Sequence, residues 1–232
     1  MRTLPAAALL ACVSFATAIT AAQAGMGPCK TDARNTLLCG GGIDAARVIN
    51  GTTSPDEKFA FAWRSPGGDP NNEPDKENLD LLLVRLSDGA ILGKSTTGYW
   101  NTGEMRVNRW DEDVAWSPDS RLAAHAFQTR YKTERFELFA PGDAAAASLD
   151  LQKIVEPAVR KKLSKNAGSR VFTVWGSQTL EISNAGKIHV VVQMWRPKDG
   201  PEDYFDVTLN VTRGANGLKA GALSIRKTKA PQ

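Results

Sequence analysis

The chain carries two histidines, His125 and His189, and these are its only imidazoles available as catalytic bases. Each sits just behind a turn-type sequence, in the apolar runs Leu122-Ala123-Ala124-His125-Ala126 and Ile188-His189-Val190. A hydrolase needs a nucleophile, a base and a group that orients the base. No Gly-x-Ser-x-Gly elbow is present, and Gly176-Ser177-Gln178 does not fit one. Both histidines therefore read as half-buried strand residues, and no catalytic residue is assigned.

The carboxylates offer less. Asp111-Glu112-Asp113 is the densest acidic cluster and reads as a solvated loop. Paired carboxylates for glycoside cleavage would have to meet in space, which sequence does not display. Asp69, Asn71, Glu73, Asp75 and Glu77 alternate like calcium ligands, with Asp80 at the twelfth position. Pro74, however, stands where such a loop needs Gly for its sharp turn. Gly40-Gly41-Gly42 lacks the Lys-Ser/Thr of a phosphate-binding loop. No metal site and no cofactor are expected. The basic run Arg160-Lys161-Lys162 suits the C-terminal end of a helix, where cations meet the negative end of the dipole.

The aromatics point to binding. Tyr99-Trp100 and Trp110 flank the polar segment 101–108. Flat rings on a loop bind peptides or glycans at little entropic cost. Tyr99, Trp100 and Trp110 are therefore the expected ligand contacts. Strand residues such as Trp116 are expected to fill space between sheets.

The elements that hold these residues are mostly strands. Residues 59–63, 81–86 and 190–195 are strand-length apolar runs bounded by Gly, Pro, Asp or Asn. Only 149–163 has helical spacing, and Pro157 inside it predicts a kink or two short pieces. Ser54-Pro55-Asp56-Glu57-Lys58-Phe59 recurs as Ser117-Pro118-Asp119-Ser120-Arg121-Leu122, and more loosely as Ser183-Asn184-Ala185-Gly186-Lys187-Ile188. The serines are 63 and then 66 residues apart. Pro presets a turn, Asp bonds nearby amides and a strand follows at once. Self-similarity on this scale signals a repeat architecture. The Ser-Pro-Asp-x-Lys/Arg unit followed by an apolar strand resembles the WD-repeat-like β-propellers of bacterial periplasmic proteins and the propellers of prolyl-oligopeptidase-type enzymes. Val114-Ala115-Trp116-Ser117-Pro118-Asp119 carries that resemblance most closely. It implies an all-β, propeller-like stack of about three four-stranded antiparallel sheets, with repeats near 48–98, 113–148 and 170–228 and one short helical insertion. A β-sandwich sharing only the turn is the alternative.

The N-terminus reads as an export signal. Arg2 precedes an Ala-rich apolar stretch that closes on Ala22-Gln23-Ala24, the small-x-small pattern of a cleavage site after Ala24. Residues 25–46 then read as an irregular leader and 47–232 as one β domain. No later stretch is apolar enough to span a membrane. Cys29 and Cys39, beyond the signal, are expected to pair in an oxidising compartment, periplasmic or extracellular. Lys and Arg number 29 against 25 Asp and Glu, too small an excess for nucleic acid. The expectation is an exported binding module for an envelope protein, peptide or glycan. A periplasmic hydrolase using a carboxylate or histidine is the alternative.

Overall fold

The structure is a computed structural model and describes residues 25–69, 79–95, 111–129, 131–163, 169–175, 179–196, 202–215 and 217–231. The predicted cleavage residue Ala24 lies outside them, as does most of the calcium-like stretch, Asn71, Glu73, Pro74, Asp75 and Glu77 included.

The chain folds mostly into β-structure, as three antiparallel sheets and one α-helix, and the sheets do not close into a ring. The first sheet contains β1 (Cys29–Thr31), β2 (Leu37–Cys39), β3 (Ala46–Val48), β4 (Phe59–Arg64), β5 (Asp80–Arg85) and β6 (Ala90–Ser95), side by side in chain order. The second contains β7 (Asp111–Trp116), β8 (Ala123–Gln128), β9 (Thr133–Ala140) and β10 (Ala147–Asp150), also in chain order. In the third, β13 (Lys187–Trp195), β14 (Asp203–Gly214) and β15 (Gly217–Thr228) form a meander. Both β11 (Val171–Val174) and β12 (Glu181–Ile182) pair with the free side of β13.

Alternation of side chains divides the apolar residues among the layers. Phe61 and Trp63 of β4, with Leu81 and Leu83 of β5, face the second sheet and meet Ala123, Phe139, Val114 and Trp116. Their neighbours Ala60, Ala62, Leu82 and Val84 face the other way, toward Cys39, Ala46 and Val48. Between the second and third sheets lies the largest core, with Phe136, Leu138, Val190, Val192, Met194, Phe205 and Val207. The helix α1 (Gln152–Arg160) adds Val155 and Val159 to it. Pro157 does not divide this helix. It points to solvent, and Asp150 Oδ1 accepts the Lys153 amide at 3.0 Å to fix the first turn.

The segment 25–46 is more ordered than an irregular leader. It holds β1, β2 and a 3-10 turn, and Cys29 faces Cys39 across the β1–β2 pair in a disulfide. Its backbone also returns to the turn between β5 and β6. There Met26, Gly27 and Cys29 amides donate to the carbonyls of Gly89, Asp88 and Leu86 at 3.1, 3.0 and 2.9 Å. The first sheet is thereby rolled, and its outer face is sealed from water.

The three Ser-initiated turns lie at the same place in their sheets, before β4, β8 and β13. In the first two, the Ser54 and Ser117 amides bond the carbonyls of Phe59 and Leu122, and Ser Oγ bonds Asp56 or Asp119 at 2.8 and 2.7 Å. Both Asp side chains accept a backbone amide, from Lys58 and Arg121, each at 3.2 Å. The third turn lacks Pro and Asp and is one residue shorter, with the Ser183 amide on the Lys187 carbonyl. The fourth residue of every turn has positive φ: Glu57 at 58°, Ser120 at 60° and Gly186 at 75°. The turns are linked to one another as well. The Asp56 amide donates to Ser120 Oγ at 3.0 Å, and the Asp119 amide to Asn184 Oδ1 at 2.9 Å. Tight turns therefore line one end of the molecule. β4, β6 and β13 run away from that end, so Arg64, Ser95 and Trp195 lie at the opposite one.

Candidate functional site

Two constellations bring chemistry-bearing side chains together, and the first is buried. Glu112, Val114 and Trp116 alternate along β7 toward the first sheet, as do Ala123, His125 and Phe127 along β8, and Glu137 and Phe139 along β9. His125 is thus placed between Glu112 and Glu137 on neighbouring strands. Its Nε2 contacts Glu112 Oε1, and its Nδ1 lies 3.8 Å from Glu137 Oε2. Ser95, at the end of β6, donates to the same Glu137 oxygen at 2.6 Å. Phe61 stacks on the imidazole with ring centroids 5.4 Å apart.

Burial sets the charge state of this cluster. The His125 side chain is 0% exposed and that of Glu112 is 3% exposed. Burial alone disfavours an imidazolium, but the charges of Glu112 and Glu137 and their hydrogen bonds outweigh it and raise His125 to about 9. Burial pushes the Glu112 carboxyl up, against the pull of His125. Glu137 also feels burial, yet the nearby His125 imidazolium and the hydrogen bond from Ser95 hold it below the usual carboxylate range. The acidic cluster 111–113 is therefore not a solvated loop. It is the first half of β7, with Glu112 held inside and the buried Asp113 accepting from Gln128 Nε2 at 2.8 Å. The physical reason is the buried cation opposite Glu112, which no local sequence feature reveals. A general acid–base must reach a substrate, and His125 has no exposed surface.

The second constellation covers the outer face of the third sheet. Ile188, Val190, Val192 and Met194 of β13 point into the core, so His189, Val191, Gln193 and Trp195 point out. On β14, Phe205, Val207 and Leu209 point in, leaving Tyr204, Asp206 and Thr208 outward. On β11, Phe172 and Val174 point in, placing Thr173 outward, and Trp175 directly after it lies opposite Val191. The rings are half-buried and hydrogen-bonded at their rims. Trp195 Nε1 donates to Thr173 Oγ1 at 3.0 Å, Gln193 Nε2 to Tyr204 Oη at 3.0 Å, and Tyr204 Oη to Glu202 Oε2 at 2.7 Å. Burial and the adjacent Glu202 carboxylate push the Tyr204 phenol up to about 12. Trp175 meets Tyr204 edge-on at 5.9 Å, and the exposed Tyr131 stacks on Trp195 at 6.5 Å. Further along, His189 Nε2 lies 3.2 Å from Asp206 Oδ1. Beyond it is a depression of about 320 Å³ lined by Glu181, Ser183, Lys187, His189 and Thr208.

A third hollow, of about 380 Å³ beside α1, is lined by Lys132, Gln152, Glu156, Arg160 and Arg170. Its cations are matched within the protein: Lys132 by Glu134, Arg160 by Glu156 and Arg170 by Asp203.

Of the residues singled out in the sequence, Tyr99, Trp100 and Trp110 lie outside the described residues. They belong to the connection between Ser95 and Asp111. The Cys29–Cys39 disulfide is present. Asp80, the last calcium-like position, is occupied by Arg64 at 2.8 Å and by Lys94. Among the described residues, no group of three or more His, Cys, Asp or Glu side chains is placed to hold a metal ion. None of their helices is long and apolar enough to cross a membrane. The outer face of the third sheet was missed because residues 190–195 read as one apolar run. The alternation of Gln193 and Trp195 with Val192 and Met194 was the signal available. Comparison with protein-family models and with curated proteins gives no match to this chain.

Proposed function

We propose that this chain is an exported, non-enzymatic binding module, and that its ligand surface is the outer face of the third sheet. The observation that carries this reading is the set of half-buried rings Trp175, Trp195 and Tyr204, which share a sheet face with the buried Val191 and Gln193 and with the polar His189, Asp206 and Thr208. Large rings held at a surface by rim hydrogen bonds offer contact area at low entropic cost. A hydrolase centred on His125 would need a path for substrate and water to an imidazole that has none of its surface exposed.

The architecture suits such a role. Antiparallel sheets of six, four and five strands, with equivalent Ser turns before β4, β8 and β13 hydrogen-bonded first to second and second to third, support a propeller-like stack resembling WD-type repeats, and a stack of this kind presents surfaces at its open end and on its last sheet. The signal-like segment 1–24 and the disulfide support export to the periplasm or beyond.

Capture experiments test the reading. Immobilised protein with its disulfide intact should retain one or more components of an envelope extract. W175A/W195A, checked for folding by circular dichroism, should lose them. Equal capture by both proteins would overturn the assignment of this face.

A further inference from the structure

Resting on the assignment of the outer face as the ligand surface, we infer that the ligand is an uncharged polysaccharide segment lying along β13. Three features of the face point to this class. The first is shape. From Trp195 to His189 the outward residues run along one strand for about 20 Å, at roughly 3.3 Å per residue. They begin at the Tyr131–Trp195 stack and end at the depression beside Glu181 and Thr208. An elongated, shallow strip suits a chain of several units better than a compact molecule, which would be enclosed on most sides.

The second feature is the mixture of chemistry along the strip. A pyranose has faces of C–H bonds and a rim of hydroxyls that both donate and accept. The strip offers rings from Trp195, Tyr204 and Trp175, and between them side chains of both hydrogen-bonding senses. Glu202 and Asp206 accept, Thr208 and the Tyr204 hydroxyl do either, and Gln193, itself buried, fixes the Tyr204 hydroxyl from behind. Gln193, Tyr204 and Glu202 already form a continuous hydrogen-bonded row. Such a row fixes each side chain before a ligand arrives and lowers the entropic cost of binding.

The third is charge. Acidic Glu202, Asp206 and Glu181 are interspersed with His189, Lys187 and Arg226 on the same face, and His189 is already paired with Asp206. Among the described residues of this face, no cluster of one sign is present to select a strongly anionic or cationic partner. A peptide strand would be recognised through an open sheet edge, whereas these rings lie on the face, over β11, β13 and β14.

Isothermal titration of the disulfide-bonded protein with cellohexaose, maltohexaose and chitohexaose tests the inference. At least one hexasaccharide should bind with a Kd in or below the millimolar range. W195A should weaken it by roughly tenfold or more, as loss of a central aromatic contact does. Y204F keeps the ring and loses the hydroxyl, and should weaken it by a smaller factor. K219A, at the other end of the sheet, should leave it unchanged. Urea midpoints of each variant separate loss of binding from loss of fold. Failure of all three sugars, or equal binding by a folded W195A, overturns the polysaccharide assignment. If a deca-proline peptide binds instead and W195A abolishes that binding, the ligand class is wrong and the face stands. If neither sugar nor peptide binds and W175A/W195A captures the same envelope components as the wild type, the face assignment falls as well.

Discussion

Replacing His125 with Phe should destabilise the protein by about 3–5 kcal/mol at pH 7, the usual cost of stranding a buried charge by removing its partner. Phe preserves the stack on Phe61 but leaves the Glu112 and Glu137 carboxyls without their cation. The structure gives a similar figure independently. His125 rises from 6.5 to about 9 on folding. At about 1.4 kcal/mol per unit, that corresponds to an order of 3 kcal/mol. The sign follows from linkage. A group raised on folding stabilises fully below its unfolded value, and its contribution disappears as pH climbs through the folded one. Wild-type stability should therefore decline between about pH 6.5 and 9, and Glu112, also raised, acts in the same direction. Glu137, held low, acts oppositely: its contribution is present above the ordinary carboxylate value and is lost as pH falls below it. In H125F the part of the alkaline decline that belongs to the imidazole should vanish. Its deficit should also shrink as pH falls and Glu112, pushed up by burial, takes up a proton. E112L/H125F, which removes both members of the closest pair, should recover most of the loss, since an apolar replacement of a buried pair is often neutral. Urea unfolding followed by tryptophan fluorescence at pH 5, 7 and 9 measures all of this. A cost below about 1 kcal/mol for H125F at pH 7, with no recovery in the double variant, would refute the idea that the cluster is electrostatically loaded.

Two more predictions concern the scaffold. C29S/C39S should lose on the order of 2–3 kcal/mol, as expected for opening a loop of this short length. Amide hydrogen exchange should then quicken first at Met26, Gly27 and Cys29, which bond the turn between β5 and β6. The three equivalent turn positions should respond differently to substitution, with urea midpoints as the measure. G186A should cost about 2 kcal/mol or more, because the residue has φ of 75° and a Cβ there would lie 2.2 Å from the Val211 carbonyl oxygen. E57G should be neutral or slightly stabilising, since Gly relieves a φ of 58° at the expense of chain entropy.

Much of this fold was legible because its signals are local. Ser54-Pro55-Asp56 and Ser117-Pro118-Asp119 specify a turn through their own side chains, and the structure shows those Ser–Asp and Asp–amide bonds. β4 and β8 lie in different sheets, as turns of equivalent position require. Phe59 and Leu122 end the two turns at matching positions, yet Leu122 is buried and Phe59 only half-buried, packed beside Trp116. What stayed hidden depends on partners distant in sequence. Glu112 looked like a loop residue since its cation is His125, reached only through the register of β7 against β8. The leader looked irregular because β1 and β2 are only three residues each and are stabilised by a disulfide and by the 86–89 turn. Pro157 looked like a helix breaker, but it and Lys153, the residue four before it whose carbonyl it leaves without an amide, both lie on the exposed side of the helix.

The two outer faces of the stack explain where recognition chemistry can reside. The first sheet is closed on its outer side by the return of residues 26–29, so Ala60, Ala62, Leu82 and Val84 are free to be apolar there. No described segment rolls over the outer side of the third sheet in this way, and a fully apolar face there would promote association. Its strands accordingly place Thr, Asn, Asp and His outward, with Val191 and Gln193 buried among them. Against that pattern, Trp175, Trp195 and Tyr204 are the residues a solvated face does not require. Trp116 is accounted for by its indole bond to the Thr52 carbonyl at 2.8 Å, which ties the first sheet to the second. Trp63 is accounted for by burial between those same sheets. Among the described residues, no comparable packing layer covers Trp195, which meets Tyr131, itself half exposed, and bonds Thr173 at its rim. Rings retained on a face that the fold would otherwise keep polar are what distinguishes a recognition surface from a solvated one.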